Sequence, residues 1–259
     1  MDILKAIILG IIQGLTEFLP VSSSGHIELG KAVLDVQEAG LDFSILVHIA
    51  TALSTVIVFR HLIANLVLDI FRGDKKALQY AAMLILSAVP VAVVGLGFKD
   101  EVEALFNGRL ALVGVALLVT AVLLFLTMRV KSSDRSITFG RALIIGIAQM
   151  FAIVPGISRS GSTIATALLM KVDREEAAHF SFLMVLIPIF GQAFLDGVDL
   201  LKGEAAWDLD TGVAVAGFLA AFLSGLLACT FMIRLVKRGK LYYFSIYCAI
   251  VGILAIVLG

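Results

Sequence analysis

Two short stretches hold chemistry that an apolar chain has no ordinary use for: EFLPVSSSGH, Glu17–His26, and PGISRSGS, Pro155–Ser162. The first brings Glu17, Ser22, Ser23, Ser24, Gly25 and His26, and Gln13 lies four residues before Glu17, on the same helix face. A serine near an imidazole and a carboxylate has the parts for nucleophilic or acid–base catalysis. The second brings Gly156, Ser158, Arg159, Ser160, Gly161, Ser162 and, just beyond, Thr163. An arginine among hydroxyls and glycines at a helix start suits a phosphate, because backbone N–H groups, the helix dipole and a forked guanidinium all favour an anion there. Gln13 and Glu17 could alternatively hold a hard divalent cation through oxygen ligands.

The solvent decides what these groups mean. The chain has 259 residues, 60% hydrophobic and 15% charged, where a soluble domain carries about a quarter charged residues. Apolar runs at about 41–59, 80–98, 110–128, 178–196, 212–233 and 241–258 read as six full crossings of an all-α polytopic membrane protein. The first apolar run has no small-residue cleavage site and does not read as a removed signal peptide. Cys229 and Cys248 lie within apolar runs and read as packing residues. In such surroundings an ionisable group costs about 2.5–3.5 kcal/mol, so Glu17, His26 and Arg159 together need a reason. A buried ion pair with capping serines would account for Glu17 and Arg159, but would leave the imidazole and the other hydroxyls idle.

Two further stretches, 3–34 and 141–170, are apolar but broken, the first at Pro20–Gly25 and the second at Pro155–Gly161. Backbone freed at membrane depth survives only against protein or a polar cavity, so each stretch is expected to enter, turn and return as a re-entrant hairpin. Under that layout Lys5, Lys31, Lys99, Arg109 and Lys202 share one face, Arg159 stays inside, and the rest of the 20 Lys and Arg residues share the other face. The positive-inside rule then puts both termini outside the cytoplasm. The sequence also repeats itself: GIIQGLTEFLPVSSSGH from Gly10 precedes GIAQMFAIVPGISRSGS from Gly146 by 136 residues, and DFSIL at Asp42 is echoed by HFSFL at His179. The expectation is a single membrane domain, 1–259, of two inverted repeats (about 1–130 and 131–259) whose polar tips meet near the midplane.

QGLTEFLPVSSSGH together with PGISRSGST resembles the undecaprenyl-diphosphate phosphatase family of the bacitracin-resistance type. That family places a glutamate or glutamine four residues before a glutamate, met by Gln13 and Glu17, and reads PGxSRSxxT, met by Pro155, Gly156, Ser158, Arg159, Ser160 and Thr163. The resemblance spans essentially the whole chain. It implies removal of one phosphate from a polyprenyl diphosphate lipid, leaving the monophosphate carrier of cell-wall synthesis, at the outer side of the bacterial cytoplasmic membrane. It also implies a divalent cation, Mg2+ or Ca2+. Carried over, Ser23 matches the proposed nucleophile, His26 the histidine after the glycine, Glu17 the essential acid and Arg159 the phosphate-binding arginine. Gln13 removes one negative charge from the metal-binding pair, and Ser24 stands where threonine is common. Ser22, Ser24, Gly25, Gly156, Ser158, Ser160, Gly161 and Thr163 are expected around the substrate. Whether Ser23 or a metal-bound water attacks, and whether Glu17 or His26 takes the proton, stays open at this level.

A lipid-phosphate transporter would share the inverted repeat and the Arg159 anion site, but would not need Ser23. The acid-phosphatase type of membrane lipid phosphatase needs a second histidine with an aspartate soon after it, and His179 is followed by FSFLMVL. Blander roles suit the remaining polar residues. His48 reads as a helix–helix hydrogen-bond donor, His61 and His179 as boundary residues, and Glu28 as a polar contact on the return helix. RLVKRGK, Arg234–Lys240, reads as an anchor near anionic lipid and not a nucleic-acid site. Trp207 suits an interfacial loop, and the small residues of Ala216–Ala228 suit close packing, with a homodimer contact possible there.

Overall fold

The computed structural model describes residues 1–36, 41–98, 101–102, 105, 110–130, 133–202 and 209–258, which are helical apart from turns and one isolated bridge between Arg135 and Val172. The helices are α1 (Ile3–Phe18), α2 (Ser23–Val33), α3 (Leu41–Val58), α4 (Arg60–Phe71), α5 (Lys75–Gly97) and α6 (Leu110–Leu126). They continue with α7 (Phe139–Phe151), α8 (Arg159–Leu169), α9 (Arg174–Met184), α10 (Leu186–Lys202), α11 (Thr211–Lys237) and α12 (Tyr242–Leu258). Trp207, Lys99, Arg109 and Lys131 lie outside the described residues.

Each of the six expected crossings is helical. Four runs, Lys75–Gly97, Leu110–Arg129, Arg174–Leu195 and Thr211–Lys237, are long and apolar enough to span a bilayer. A fifth, α3 with α4, qualifies only as one broken span, because the chain bends there by 74°. The sequence reading ends a crossing at 59 and takes the next residues as a connection. The chain instead continues as α4, which buries no residue and leaves Leu62, Val67, Leu68 and Phe71 exposed. In the sixth run α12 has 17 residues, the short end of the roughly 17–25 that a crossing takes.

Both broken stretches are broken where expected, and the causes are local. Ahead of Pro20, Leu19 is extended at φ −68° and ψ 141°, as the proline ring demands of the residue before it. Ser22 then turns through φ 70° and caps α2, its Oγ accepting the Gly25 N–H at 3.3 Å. In the second break Gly156 sits at φ 102°, and Ser158 caps α8 by accepting the Gly161 N–H at 3.0 Å. Aspartates do the same work at other helix starts: Asp2, Asp74, Asp173 and Asp210 each accept first-turn N–H groups.

Between helices, glycine replaces side chains as the means of close approach. Gly10 and Gly14 set α1 against Gly217, Ala221 and Ser224 of α11; Gly114 and Gly252 bring α6 onto α12; Gly146 sets α7 against Ser87 of α5. Helix association in lipid relies on such van der Waals contact, since leaving the bilayer gains nothing hydrophobic. The small residues of α11 are therefore occupied within the chain: Gly217 meets Phe43, and Gly225 meets Ser54 and Phe18. The opposite stripe, Leu219, Leu223 and Leu227, is exposed.

This packing can be tested by substitution. A Cβ on Gly14 would collide with the backbone and Ser224 of α11, whereas a Cβ on Gly95 would meet nothing within 4 Å. Gly14→Val is expected to lower unfolding stability in detergent by about 1–3 kcal/mol or more, the usual cost of overpacking, and Gly95→Ala to leave it intact; circular dichroism against denaturant reads both. Ser22→Ala orphans the N–H groups of Gly25 and Gly156, which its Oγ accepts. It should cost about 1–3 kcal/mol in the same assay, and more than Ser24→Ala, whose hydroxyl makes only a 3.4 Å contact to Ser22.

Candidate active site

The two breaks interlock. Ser22 Oγ, besides capping its own helix, accepts the Gly156 N–H across the junction at 3.0 Å. Ser160 Oγ reaches back to donate to the Leu19 carbonyl at 3.3 Å. Thr120 of α6 braces the second turn, accepting the Ser158 N–H at 2.9 Å and donating to the Gly156 carbonyl at 3.1 Å. Glycine is required where the tips touch: a Cβ on Gly25 would stand 3.1 Å from the Gly156 Cα, and one on Gly156 would strike Val113. The N–H groups of Gly156 and Ser158 and the carbonyls of Leu19 and Gly156 are thus answered by protein, as a break without bulk water requires.

This scaffold places the charged groups face to face. Arg159, the first residue of α8, pairs through Nη2 with Oε1 of Glu17 near the end of α1. Oε2 of the same carboxylate accepts the Ser23 hydroxyl at 2.7 Å and the Gln13 Nε2–H at 2.9 Å. The Glu17 side chain is only 5% exposed, whereas Arg159 keeps 26%, so the guanidinium is the member of the pair that a ligand can reach. The pair lines a cleft with Thr51 and Thr55 of α3, Ser160, and Ser181 of α9, closed on one side by Phe182, Val185 and Ile189. Ser181 Oγ is buried and has no hydrogen-bond partner, and neither does Gln13 Oε1.

Ten of the thirteen expected residues fall into two groups. Gln13, Glu17, Ser23 and Arg159 form one connected constellation. Ser22, Gly25, Gly156, Ser158, Ser160 and Gly161 shape the turns that carry it. Thr163 spends its hydroxyl on the Arg159 carbonyl at 2.9 Å, and Ser24 stands beside Ser22. His26 is not brought to Ser23. Its Nδ1 lies 2.8 Å from the Ser22 carbonyl, its Nε2 lies 2.8 Å from the Tyr247 hydroxyl, and its ring stacks on Tyr247. Of the two proton acceptors left open for Ser23, the hydroxyl hydrogen bond goes to Glu17.

Three placements escaped the sequence reading. His48, expected to bond between helices, bonds within α3 to the Ser44 carbonyl at 2.7 Å and turns Nε2 toward Glu17 Oε2 at 3.9 Å. Ser181 belongs to the HFSFL echo, so a signal was present, but nothing in the repeat said that the echo would border the site. Tyr247 had no signal: it meets His26 from 221 residues away. Blander readings hold elsewhere. Glu28 pairs with Lys31 at 3.0 Å, and Cys229 and Cys248 are buried free thiols.

Gln13 and Glu17 are the residues whose oxygens could hold a hard divalent cation. The unpartnered Gln13 Oε1 stands on the helix face of the Glu17 carboxylate, one turn away. Among the described residues no three of His, Cys, Asp and Glu gather as a protein cage.

Comparison with known proteins agrees with the geometry. The family model described as Bacitracin resistance protein BacA matches residues 6–254. An undecaprenyl-diphosphatase of Christiangramia forsetii is 49% identical over 266 residues, covering 99% of this chain and 98% of that protein. One of Bacteroides fragilis is 48% identical over 261 residues, with the same coverage. One of Korarchaeum cryptofilum is 40% identical over 263 residues, covering 98% of each. A match over nearly the whole chain, on a membrane helix bundle whose two broken helices meet at Glu17 and Arg159, places the protein in the bacitracin resistance protein BacA family.

Proposed function

We propose that the protein hydrolyses undecaprenyl diphosphate to the monophosphate and phosphate in the cytoplasmic membrane, recycling a lipid carrier of cell-wall synthesis and so opposing bacitracin. The carrying observation is the hydrogen bond from Ser23 to a carboxylate that also holds Arg159. A carrier that only moved lipid phosphate would use Arg159 and would have no need of a serine held on Glu17. Family membership and the activity for which the relatives are named point the same way.

In this mechanism the diphosphate reaches the partly exposed Arg159, whose fork can bind two phosphate oxygens, with the unpartnered Ser181 as a further donor. Phe182, Val185 and Ile189 give the first isoprene units an apolar wall. Ser23 Oγ bonds to the terminal phosphorus while its proton moves to Glu17. The bridging P–O bond breaks, its electron pair leaves on the polyprenyl monophosphate, and that oxygen takes the proton from Glu17, which is again a carboxylate. Water then attacks the phosphoserine, giving a proton to Glu17 and releasing phosphate, and Ser23 regains its hydrogen. Gln13 Oε1 and Glu17 are the groups that would hold Mg2+ or Ca2+. Such a cation supplies neutralisation of the phosphate oxygens, most of what phosphoryl transfer requires.

The same reading extends to topology: six crossings and two re-entrant hairpins in an inverted repeat, with both termini and the site opening outside the cytoplasm. Reciprocal packing supports it. If α1–α6 correspond to α7–α12, then α1 against α11 has its counterpart in α7 against α5, and α6 pairs with its own counterpart α12. Even single bonds are exchanged: Thr120 of α6 donates to the Gly156 carbonyl, and Cys248 of α12 to the carbonyl of Pro20, the residue 136 places before Gly156.

The test is phosphate release from a polyprenyl diphosphate in detergent. Wild type should turn over with Mg2+ or Ca2+ and stop with chelator. Ser23→Ala should lose about 10³-fold or more, by analogy with other serine nucleophiles, and Arg159→Ala about 10²–10³-fold, as for a lost anion donor. Wild-type turnover that survives Ser23→Ala would assign attack to water. No release by wild type, with Arg159-dependent lipid binding, would hand the site to a transporter.

A further inference from the structure

We propose that Tyr247 is a positioning residue for the nucleophile: its hydroxyl fixes the His26 ring, and the ring holds the Ser22 turn that carries Ser23 onto Glu17. This rests on the phosphatase reading above. Nδ1 of His26 lies 2.8 Å from the Ser22 carbonyl, and a carbonyl can only accept, so Nδ1 carries a hydrogen. Nε2 lies 2.8 Å from the Tyr247 hydroxyl, and the two rings stack with centroids 5.6 Å apart and planes inclined by 14°. A phenol both donates and accepts, so it meets Nε2 bare or protonated, and the tie needs no change of charge.

The turn has reason to be held. Ser22 stands at φ 70° and ψ 99°, a positive-φ conformation that a residue with a Cβ keeps where its surroundings impose it. Its Oγ accepts the Gly25 and Gly156 N–H groups. Its carbonyl accepts the His26 backbone N–H at 3.1 Å and, beside it, the ring of the same residue. Ser158, 136 residues on, caps the second tip in a relaxed conformation, at φ −70° and ψ 120°. Its carbonyl accepts the Ser162 N–H at 2.8 Å, but Ser162, standing where His26 would, leaves its buried Oγ unpartnered. The side-chain clamp thus goes with the strained cap and not with the relaxed one. It is the strained cap that precedes Ser23, whose hydroxyl reaches Glu17 at 2.7 Å.

The support that Tyr247 stands on is itself anchored. Ser245 of α12 donates to the Ala121 carbonyl of α6 at 2.7 Å, and Gly114 and Gly252 let the two backbones touch. From this pair Cys248 Sγ reaches the Pro20 carbonyl at 3.6 Å and Tyr247 reaches His26, so α12 grips the first tip ahead of the Ser22 turn and beyond it. On the other tip Thr120 of α6 braces Gly156 and Ser158. The α6–α12 pair is thus a common frame for both halves of the site. With both His26 nitrogens engaged away from Ser23, what passes from α12 to the nucleophile is position and not a proton.

The experiment measures kcat and KM for phosphate release from a polyprenyl diphosphate in detergent with Mg2+. It compares wild type, Tyr247→Phe, His26→Asn, His26→Gln and the double variant Tyr247→Phe with His26→Asn. Phenylalanine keeps the ring stack and drops the hydroxyl. Asparagine puts an amide N–H where Nδ1–H stands, whereas glutamine puts its amide where Nε2 stands. Tyr247→Phe should lower kcat by about 10-fold and His26→Gln by about 10²-fold, with KM little changed, on the scale that a misplacement of about 1 Å costs a reacting group. His26→Asn keeps the grip on Ser22 without the tie and should lose no more than Tyr247→Phe does. In the His26→Asn background Tyr247→Phe should cost nothing further, since no atom stands at Nε2 to meet the hydroxyl. A loss of folded protein would repeat in both backgrounds, so it cannot imitate that coupling. Wild-type kcat in Tyr247→Phe, a Tyr247→Phe loss undiminished beside His26→Asn, or His26→Asn as impaired as His26→Gln overturns the proposal alone. A wild type that releases no phosphate overturns the phosphatase reading, and this one with it.

Discussion

One ion pair organises the membrane interior of this protein. Glu17 and Arg159 stand on helices that break inside the helix bundle, and neither buried charge is affordable there alone. Pairing them requires the two breaks to meet, and meeting requires backbone to pass close to backbone. That in turn demands glycine at 25 and 156, and hydroxyls to answer the freed N–H and carbonyl groups. Ser22, Ser160 and Thr120 do so across the junction. The glycine-lined crossings of α1 on α11 and α7 on α5 then hold the two tips at that separation.

The two tips share a frame and differ in one useful position. Each has a capping serine, a second serine two residues on, and a glycine after that: Ser22, Ser24, Gly25 in one, and Ser158, Ser160, Gly161 in the other. Between the serines stands Ser23 in the first tip and Arg159 in the second. The same backbone position thus presents a hydroxyl from one side and a guanidinium from the other, with Glu17 between them bonded to both. An anion seated on Arg159 in place of part of that carboxylate contact would sit beside the Ser23 oxygen. Chemistry at one phosphorus needs that adjacency of donor and nucleophile.

Much of this was legible in the residues because its causes are local. Pro20 and Pro155 each fall in a break between helices, a serine three residues before an exposed N–H caps it, and a run of apolar residues has one meaning at this composition. What the sequence hid was set by tertiary packing. His26 reads as a catalytic partner by its distance from Ser23 along the chain, yet α12 offers Tyr247 and the ring turns to it. His48 reads as bland because its neighbours in sequence are apolar, and only the packing of α3 beside α1 brings it to Glu17. The bend into α4 has no proline or glycine to announce it: Phe59, Arg60 and His61 mark the corner.

The most direct test of the whole account is a structure with a non-hydrolysable polyprenyl methylenediphosphonate bound. The terminal phosphonate should lie on the Arg159 guanidinium with its phosphorus in line with Ser23 Oγ, and the lipid chain should run along Phe182, Val185 and Ile189. A headgroup bound away from the two tips, with Glu17, Ser23 and Arg159 closed on one another as they are here, would contradict it.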